Sequence, residues 1–260
     1  MNSNLLTINP QKEKEKIVSF LKETFENQKI QKAVIGISGG IDSAVSFSLL
    51  KETLKPEDII IAHMYYFESK FGDMEKIVKQ AHIPDENIHH ISIKESIDAM
   101  IKLQQIEENE TNKVRIGNIA ARMRMIVLYD LAKKYKALVC GTENKSENLL
   151  GYFTRFGDQA SDIEPIEHLY KTQVYQLAKH LGLPDEIINQ QPSAGLWQGQ
   201  TDEGQFGFTY EEADQVLFLH FEKQLSSEKI EKQGFSNVSK IISWHKQNLF
   251  KHQTPYTIKK

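Results

Sequence analysis

The segment Ala33-Val34-Ile35-Gly36-Ile37-Ser38-Gly39-Gly40-Ile41-Asp42-Ser43-Ala44-Val45 sets the architecture of this chain. It opens with a short β-branched apolar run, the pattern of a buried strand. Ser38, Gly39 and Gly40 follow at once, and beyond them Ala44, Val45, Phe47, Leu49, Leu50 and Leu54 recur with helical spacing. A strand that turns into a helix through three small residues leaves several backbone N–H groups pointing outward. The helix N-terminus adds partial positive charge, so an anion such as phosphate fits there. Gly39 and Gly40 tolerate positive φ and let the backbone close on that anion. The loop lacks the Gly-Lys-Ser/Thr ending of a P-loop, so no lysine within it reaches the phosphates. It carries Asp42 instead. A carboxylate beside phosphates needs a cation between them, and Mg²⁺ favours such oxygens. The competing reading is an ordinary strand-to-helix turn in which Ser38 or Asp42 only caps the helix.

The same alternation repeats along the chain. Asn9-Pro10 reads as the N-cap and first position of a helix reaching about residue 28, with Ile17, Val18, Leu21 and Phe25 on one face. A second strand over 58–66 holds the run Ile59-Ile60-Ile61-Ala62, typical of a parallel strand covered on both sides. A helix over 73–81, a short strand over 88–91 and a helix over 94–108 follow. The longest helical pattern, 117–134, carries Ile119, Met123, Ile126, Val127 and Leu131 as its apolar stripe, with Asn118 and Arg122 four apart on another face. A fourth strand, Ala137-Leu138-Val139-Cys140-Gly141, runs into Thr142-Glu143-Asn144-Lys145-Ser146-Glu147. Repeated strand–helix units joined by right-handed crossovers predict an α/β fold: a doubly wound, mainly parallel sheet of order 3-2-1-4-5 flanked by helices. Strands one and four are then neighbours where the winding reverses, which lets Asp42 and Glu147 converge on one Mg²⁺. Glu147 also reads as a simple helix-start carboxylate. Residues 195–207 lack periodicity and read as a lid or a surface excursion, and helices over 211–223 and 237–250 are expected outside the sheet.

Composition narrows the function classes. Of 260 residues, 40% are hydrophobic, enough for one sizeable α/β core. The net charge of −3 gives no support to nucleic-acid or membrane-surface binding. The single cysteine, Cys140, precludes an intramolecular disulfide and suits a reducing cytosol. It reads as a buried small hydrophobe, not a nucleophile. His82, His89 and His90 have no carboxylate or thiol partner at ligand-like spacing. No apolar run approaches the ~20 residues of a spanning helix, and the N-terminus lacks the pattern of a signal peptide. A cytoplasmic protein is expected.

The loop at residues 36–43 resembles the pyrophosphate-binding loop of the N-type ATP pyrophosphatases, an adenine nucleotide alpha hydrolase-like fold. Further motifs narrow the resemblance to the NAD synthetase family. They are Asn118-Ile119-Ala120-Ala121-Arg122-Met123-Arg124-Met125, then Gly141-Thr142-Glu143, then Gly151-Tyr152-Phe153-Thr154-Arg155-Phe156-Gly157-Asp158-Gln159-Ala160-Ser161-Asp162-Ile163-Glu164-Pro165-Ile166. Lys171, Gln200-Thr201-Asp202-Glu203 ahead of Phe206-Gly207, and His245-Lys246 complete a series that covers most of the chain in order. The resemblance implies amidation of nicotinic acid adenine dinucleotide (deamido-NAD) by ammonia, through an acyl-adenylate, with release of AMP and pyrophosphate. It implies that Gly36, Ile37, Ser38, Gly39, Gly40, Ile41, Asp42, Ser43, Thr142, Lys171 and Ser193 hold ATP, and that Asp42 and Glu147 hold Mg²⁺. Arg122, Arg155, Asp162, His245 and Lys246 would contact the dinucleotide. Asp158 and Lys171 would be catalytic, Asp158 as the acceptor of a proton from ammonium or the attacking amine. Arg155 stands where lysine is common in the family, and Ser193 where threonine is common; both keep a donor, though Arg grips as a planar fork. No glutamine amidase domain is expected within residues 1–260, so free ammonia is the predicted donor, and the family implies a homodimer with sites at the interface. A tRNA-modifying relative of the same loop class would need a basic stripe or a cysteine cluster. A nucleotide sensor would need neither Glu147 nor the Arg155–Lys171 series.

Overall fold

A computed structural model describes residues 5–67, 71–197, 199–253 and 255–258. In chain order the elements are α1 (Pro10–Gln28), β1 (Ala33–Gly36), α2 (Ile41–Lys51), β2 (Ile59–Tyr65), α3 (Asp73–Gln80), β3 (Ile88–Ser92), α4 (Lys94–Leu103), α5 (Lys113–Tyr135), β4 (Leu138–Cys140), α6 (Lys145–Leu150), α7 (Lys171–His180), α8 (Asp185–Ile188), α9 (Asp202–Phe206), α10 (Tyr210–Leu217), α11 (Ser227–Glu231) and α12 (Val238–Asn248). Asn9 caps α1 through its side chain, which accepts from Lys12 N at 3.1 Å, with Pro10 in the first turn as expected.

The sheet is parallel, with order β3-β2-β1-β4. Val34 stands opposite both Ile60 and Val139, so β1 lies at the centre. Period-two alternation divides the strand residues between two cores. Ala33, Ile35, Ile59 and Ile61 pack with Ile17, Leu21 and Phe25 of α1, Val45 and Leu49 of α2, and Val174 and Leu177 of α7. Val34, Ile60, Ala62 and Val139 face Leu131 and Ala132 of α5. Ile93 and Ile97 at α4 join Ala120 of α5 in a smaller cluster. The expected fifth strand is reduced, among the described residues, to one parallel bridge between Cys140 and Ile163. Pro165 follows two residues later and has no N–H to extend a ladder.

A further core, not visible in the sequence periodicities, lies away from the sheet among helices and the loops beside them. It gathers Leu150, Tyr170, Phe206, Phe208, Tyr210, Leu217, Ile230, Ile241 and Ile242. The unpatterned 195–207 stretch contains α9, whose start is capped by Thr201 accepting from Gly204 N at 3.2 Å. The expected helix over 94–108 ends at Leu103 because Gln105 adopts φ 50. The helix expected over 211–223 is α10 followed by a π-turn at Phe218–Glu222, and that over 237–250 is α12. Cys140 is buried in β4, where burial holds its thiol well above the ordinary range, as a packing residue requires. Among the described residues, no helix is long and apolar enough to cross a membrane, and no cluster of His, Cys, Asp and Glu has the make-up of a metal site.

Candidate functional site

The loop after β1 builds itself from hydroxyls. Ser43 Oγ donates to Gly40 O at 2.9 Å and accepts from Ser38 N at 3.4 Å, while Ser38 Oγ accepts from Gly40 N at 3.2 Å. These bonds fold the turn tightly at the N-terminus of α2. Gly39 has φ +91, and a Cβ built on it would meet nothing within 4 Å. The glycine is therefore required by conformation and faces open space, where a ligand's phosphate can approach the backbone.

Three elements bring charge to this turn. Asp42 lies in the first turn of α2, Glu147 in α6 beyond β4, and Lys171 opens α7. Lys171 Nζ stands 2.5 Å from Asp42 Oδ2 and 3.2 Å from Glu147 Oε1, with its side chain only 3% exposed. Asn144, the N-cap of α6, donates from Nδ2 to Asp42 Oδ1 at 3.0 Å and accepts from Glu147 N at 3.0 Å. Burial works against the charge on Lys171, but Asp42 and Glu147 outweigh it and hold the ammonium well above the ordinary lysine range. Glu147 moves in the opposite sense to a satisfied ion pair. Burial raises its proton affinity, Lys171 lowers it, Asp42 raises it again, and the net shift is upward. One ammonium balances one carboxylate. Asp42 is the nearer partner, so Glu147 carries the surplus negative charge. A divalent cation matches a pair of carboxylates better than a lysine does, and in this structure the ammonium occupies the space between them.

Other residues sort around this centre. Thr142 is half-buried on the link from β4 to α6. Ser193 is exposed and accepts from Gly195 N at 3.1 Å. The adjoining Pro192 lines a cavity of about 340 Å³ with Thr172, Tyr175 and Glu203. Arg122 of α5 donates to Arg155 O at 3.2 Å, so these two cations are neighbours. Arg155 also covers the rings of Phe156 and Phe250. His245 Nδ1 contacts Leu149 O at 2.5 Å and its ring packs on Phe221, which places α12 against α6. Lys246 is exposed on the same helix. Asp162 ties down the sheet edge: its Oδ2 accepts from Val139 N at 2.8 Å.

Asp158 is exposed, and its Oδ1 accepts from Thr154 N at 2.8 Å. Protein packed about the carboxyl raises its affinity for a proton, more than the bonds from Thr154 lower it. Its side chain is open to solvent, and its charge is felt by the Arg124 guanidinium.

Several supporting residues left no sequence signal. Asp214 of α10, fully buried, accepts from Thr172 N at 2.8 Å and from the hydroxyl of Ser146, while Ser146 Oγ accepts from Lys171 N at 2.8 Å. A helix far along the chain thus fixes the backbone that carries Lys171. Lys251 Nζ donates to Gly151 O at 2.6 Å and Phe153 O at 2.9 Å, pinning the segment before Asp158. The 193–197 segment is tied down to the start of α9 and to α5. Asp202 Oδ1 accepts from Ala194 N at 3.0 Å and Gln200 Oε1 from Leu196 N at 2.8 Å. Leu196 packs on Gly117 so closely that a Cβ there would lie 2.8 Å from Leu196 Cβ.

Residues 13–255 match the family model described as NAD synthase. The NH(3)-dependent NAD(+) synthetase of Fusobacterium nucleatum subsp. nucleatum is 39% identical over 261 residues, covering 98% of each chain. Among solved structures, the NMN synthetase from Francisella tularensis is similar with a TM-score of 0.81 and 36% identity, over 96% of this chain and 99% of that one. The NH3-dependent NAD synthetase from Campylobacter jejuni is similar with a TM-score of 0.78 and 32% identity, over 97% of this chain and all of that one. With the phosphate turn, the carboxylates flanking Lys171 and these relatives in agreement, the chain belongs to the NAD synthase family.

Proposed function

We propose that this chain joins ammonia to the nicotinate carboxyl of deamido-NAD, consuming ATP and releasing AMP, pyrophosphate and NAD⁺. The observation that carries this reading is the meeting of Asp42, Glu147 and Lys171 at the open glycine turn. A carboxylate resists amine attack until one oxygen becomes a good leaving group, and adenylation supplies that. Residues 36–43 with Thr142, Lys171 and Ser193 hold ATP. The turn's N–H groups and Lys171 offset charge on the departing pyrophosphate. Asp42 and Glu147 hold Mg²⁺, which when bound would neutralise phosphate oxygens during the displacement. Arg122, Arg155, Asp162, His245 and Lys246 contact the dinucleotide. Asp158, with raised proton affinity and a side chain open to solvent, takes the proton from the nitrogen donor. The 193–197 segment excludes water from the acyl-adenylate.

We read residues 1–260 as one synthetase domain that takes free ammonia, in keeping with its coverage of an ammonia-dependent relative. A homodimer with dinucleotide sites near the interface agrees with the exposed Arg122 and Ile126 on α5. The likeness to an NMN synthetase favours a second reading, in which the amidated acid lacks the AMP half.

One assay decides. The protein is incubated with ATP, Mg²⁺ and ammonium, and with either deamido-NAD or nicotinic acid mononucleotide. NAD⁺ and AMP in equal amounts, with deamido-NAD preferred, support the first reading. Preference for the mononucleotide replaces it with the second, and AMP formation with neither acid removes both.

A further inference from the structure

Asp202 takes no part in the chemistry proposed above, yet its bonds reach three of the residues that do. It is only 3% exposed at the start of α9, and all three of its side-chain partners donate to it. Ala194 N donates to Oδ1 at 3.0 Å, the Tyr152 hydroxyl to Oδ1 at 3.1 Å and the Tyr210 hydroxyl to Oδ2 at 3.1 Å. Three donors suit a carboxylate, which only accepts. The backbone N–H of Asp202 donates in turn to Pro192 O at 3.0 Å. Ser193 therefore lies between two residues, Pro192 and Ala194, that are each bonded to Asp202. The second oxygen leads to the charge centre. Tyr210 is buried, and the Lys171 ammonium lies 5.3 Å from the centroid of its ring. Tyr152 leads to α6: its backbone N–H donates to Glu147 O at 2.8 Å, while its ring packs on Phe206 at 4.4 Å. The single Tyr152 hydroxyl proton also has Gln205 Oε1 within 2.9 Å, and the charge on Asp202 favours the carboxylate.

We propose that Asp202 is a positioning residue for ATP: it fixes Ser193 relative to Lys171 and Glu147, so that one nucleotide meets all three in a single geometry. This rests on the reading above, in which Ser193 and Lys171 hold ATP and Glu147 holds its Mg²⁺. Asp202 acts through Pro192, Ala194, Tyr210 and Tyr152 and touches no substrate itself. The physical reason is entropy. Between the end of α8 at Ile188 and the start of α9 at Asp202, the described residues form no helix or strand, and Ser193 is exposed. Packing therefore does not place its hydroxyl. A contact from such a segment strengthens binding only when the segment is ordered before the ligand arrives. Charge-assisted hydrogen bonds to a buried carboxylate are about twice as strong as neutral ones and supply that order. Asparagine has the same shape, but its amide nitrogen cannot accept, so one donor loses its partner and the charge is lost with it.

The test is a double-mutant cycle of Asp202→Asn and Ser193→Ala in the full chain. Two readouts are taken: Kd for ATP with Mg²⁺ by calorimetry, and KM for ATP against KM for deamido-NAD and ammonium. Asp202→Asn should raise Kd and KM for ATP roughly tenfold, the scale of one lost charge-assisted hydrogen bond, with the other KM values within about twofold. Ser193→Ala should weaken ATP binding in the wild type and have little further effect beside Asp202→Asn, because the contact it removes is already lost. Hydrogen exchange gives a view free of turnover: in Asp202→Asn the Ala194 amide should exchange faster, while the amides of Val174 and Leu177 in the sheet core keep their rates. Should Asp202→Asn not fold, Tyr152→Phe and Tyr210→Phe each remove one donor and should each raise Kd for ATP by roughly threefold or more. Unchanged ATP affinity in these variants, an equal rise in all three KM values, additive effects around the cycle, or no effect of Ser193→Ala in the wild type overturns the positioning role. A wild type that binds ATP and makes no NAD⁺ overturns the amidation reading instead, and calorimetry still judges Asp202 by itself. A wild type with no affinity for ATP overturns both.

Discussion

Lys171→Met tests whether the lysine stands in for a cation. The substitution keeps the stem and removes the ammonium that lies 2.5 Å from Asp42 and 3.2 Å from Glu147. Two adjacent carboxylates then lose their shared counter-charge. Breaking a buried ion pair costs about 3–5 kcal/mol. The Asp42 and Glu147 side chains keep 16% and 18% exposure, so water relieves part of this and the low end, about 3 kcal/mol, applies. For a chain of this size that is a fall in Tm of roughly 6–12 °C at neutral pH. Burial and the neighbouring Asp42 charge already raise the proton affinity of Glu147 in the folded state. The penalty is therefore present when Glu147 is ionised and fades as pH falls and Glu147 takes up its proton. Mg²⁺ should reverse the trend. At a hundredfold excess over its dissociation constant, a ligand of the native state returns about 2.7 kcal/mol. In the wild type Mg²⁺ must first displace the ammonium, so its gain is small. Differential scanning calorimetry of both proteins, with and without Mg²⁺ and without nucleotide, measures this directly. The variant should regain several degrees on adding Mg²⁺ while losing about 10²–10³ in kcat. A variant as stable as the wild type, or an identical Mg²⁺ response in both, would refute the reasoning.

Three further outcomes are expected. Asp42→Asn should abolish NAD⁺ formation while leaving the circular dichroism spectrum unchanged; appreciable turnover with Mg²⁺ as the only divalent ion would contradict its metal role. Gly117→Ala places a Cβ 2.8 Å from Leu196 Cβ and should lift the 193–197 segment, so that water intercepts the acyl-adenylate. The ratio of AMP to NAD⁺ should rise above unity with Tm lowered by less than about 3 °C, and a ratio that stays at unity tells against a shielding role. Asp214→Asn addresses a carboxyl that burial pushes up to about 6, against the hydrogen bonds from Ser146 and Thr172. Because the folded value lies above the unfolded one, ionised Asp214 weakens the fold above about pH 6, and protonation strengthens it down to about pH 4. The variant's stability relative to wild type should therefore improve as pH rises from 4 to 7, by up to about 3 kcal/mol; a pH-independent difference would refute the upward shift at Asp214.

The sheet was legible because parallel strands covered on both faces read as unbroken apolar runs. Ile59-Ile60-Ile61-Ala62 could hardly be anything else. The β1–α2 turn was legible for a different reason: Ser38, Gly39, Gly40, Asp42 and Ser43 are local, and each hydrogen bond of the turn spans at most five residues. Locality also explains the failures. The bond from Ser146 to Asp214 spans 68 positions and that from Asn144 to Asp42 spans 102, and such polar pairing has no period to detect. Lys171 looked like the first residue of an amphipathic helix, which it is, and only a family likeness singled it out. The helical core around Phe206 and Tyr210 was missed because the residues that join α10 and α12 to it, Tyr170, Phe206 and Phe208, lie in loops or a five-residue helix, too short for a 3.6-residue rhythm to emerge. Among the described residues the expected fifth strand comes down to one bridge at Ile163, two residues before Pro165, which has no N–H to extend a ladder.

The position of Lys171 explains why so much of the chain is needed for one small centre. Tyr170 is buried in the helical core, while Val174, Leu177 and Ala178, one turn on, are buried in the sheet core. Helix α7 therefore belongs to both cores, and its first residue lies on their seam. Asp42 arrives from the sheet side, Asp214 supports the backbone from the helical side, and Glu147 hangs from α6, whose Leu150 joins the helical core. Two cores that shift by even 1 Å would separate charges now held within hydrogen-bond reach, and reacting geometry is that sensitive. The hydrogen bonds from Lys171 N to Ser146 and from Thr172 N to Asp214 resist that shift. A centre built across a seam gains something in return. Ligand charge that draws Asp42, Glu147 and Lys171 together also draws the two cores together, so ATP binding should protect amides of α7 and α10 from hydrogen exchange although neither helix is part of the phosphate turn. Protection confined to α2 and the turn would mean that the seam is already rigid and that the ligand reads only its own loop.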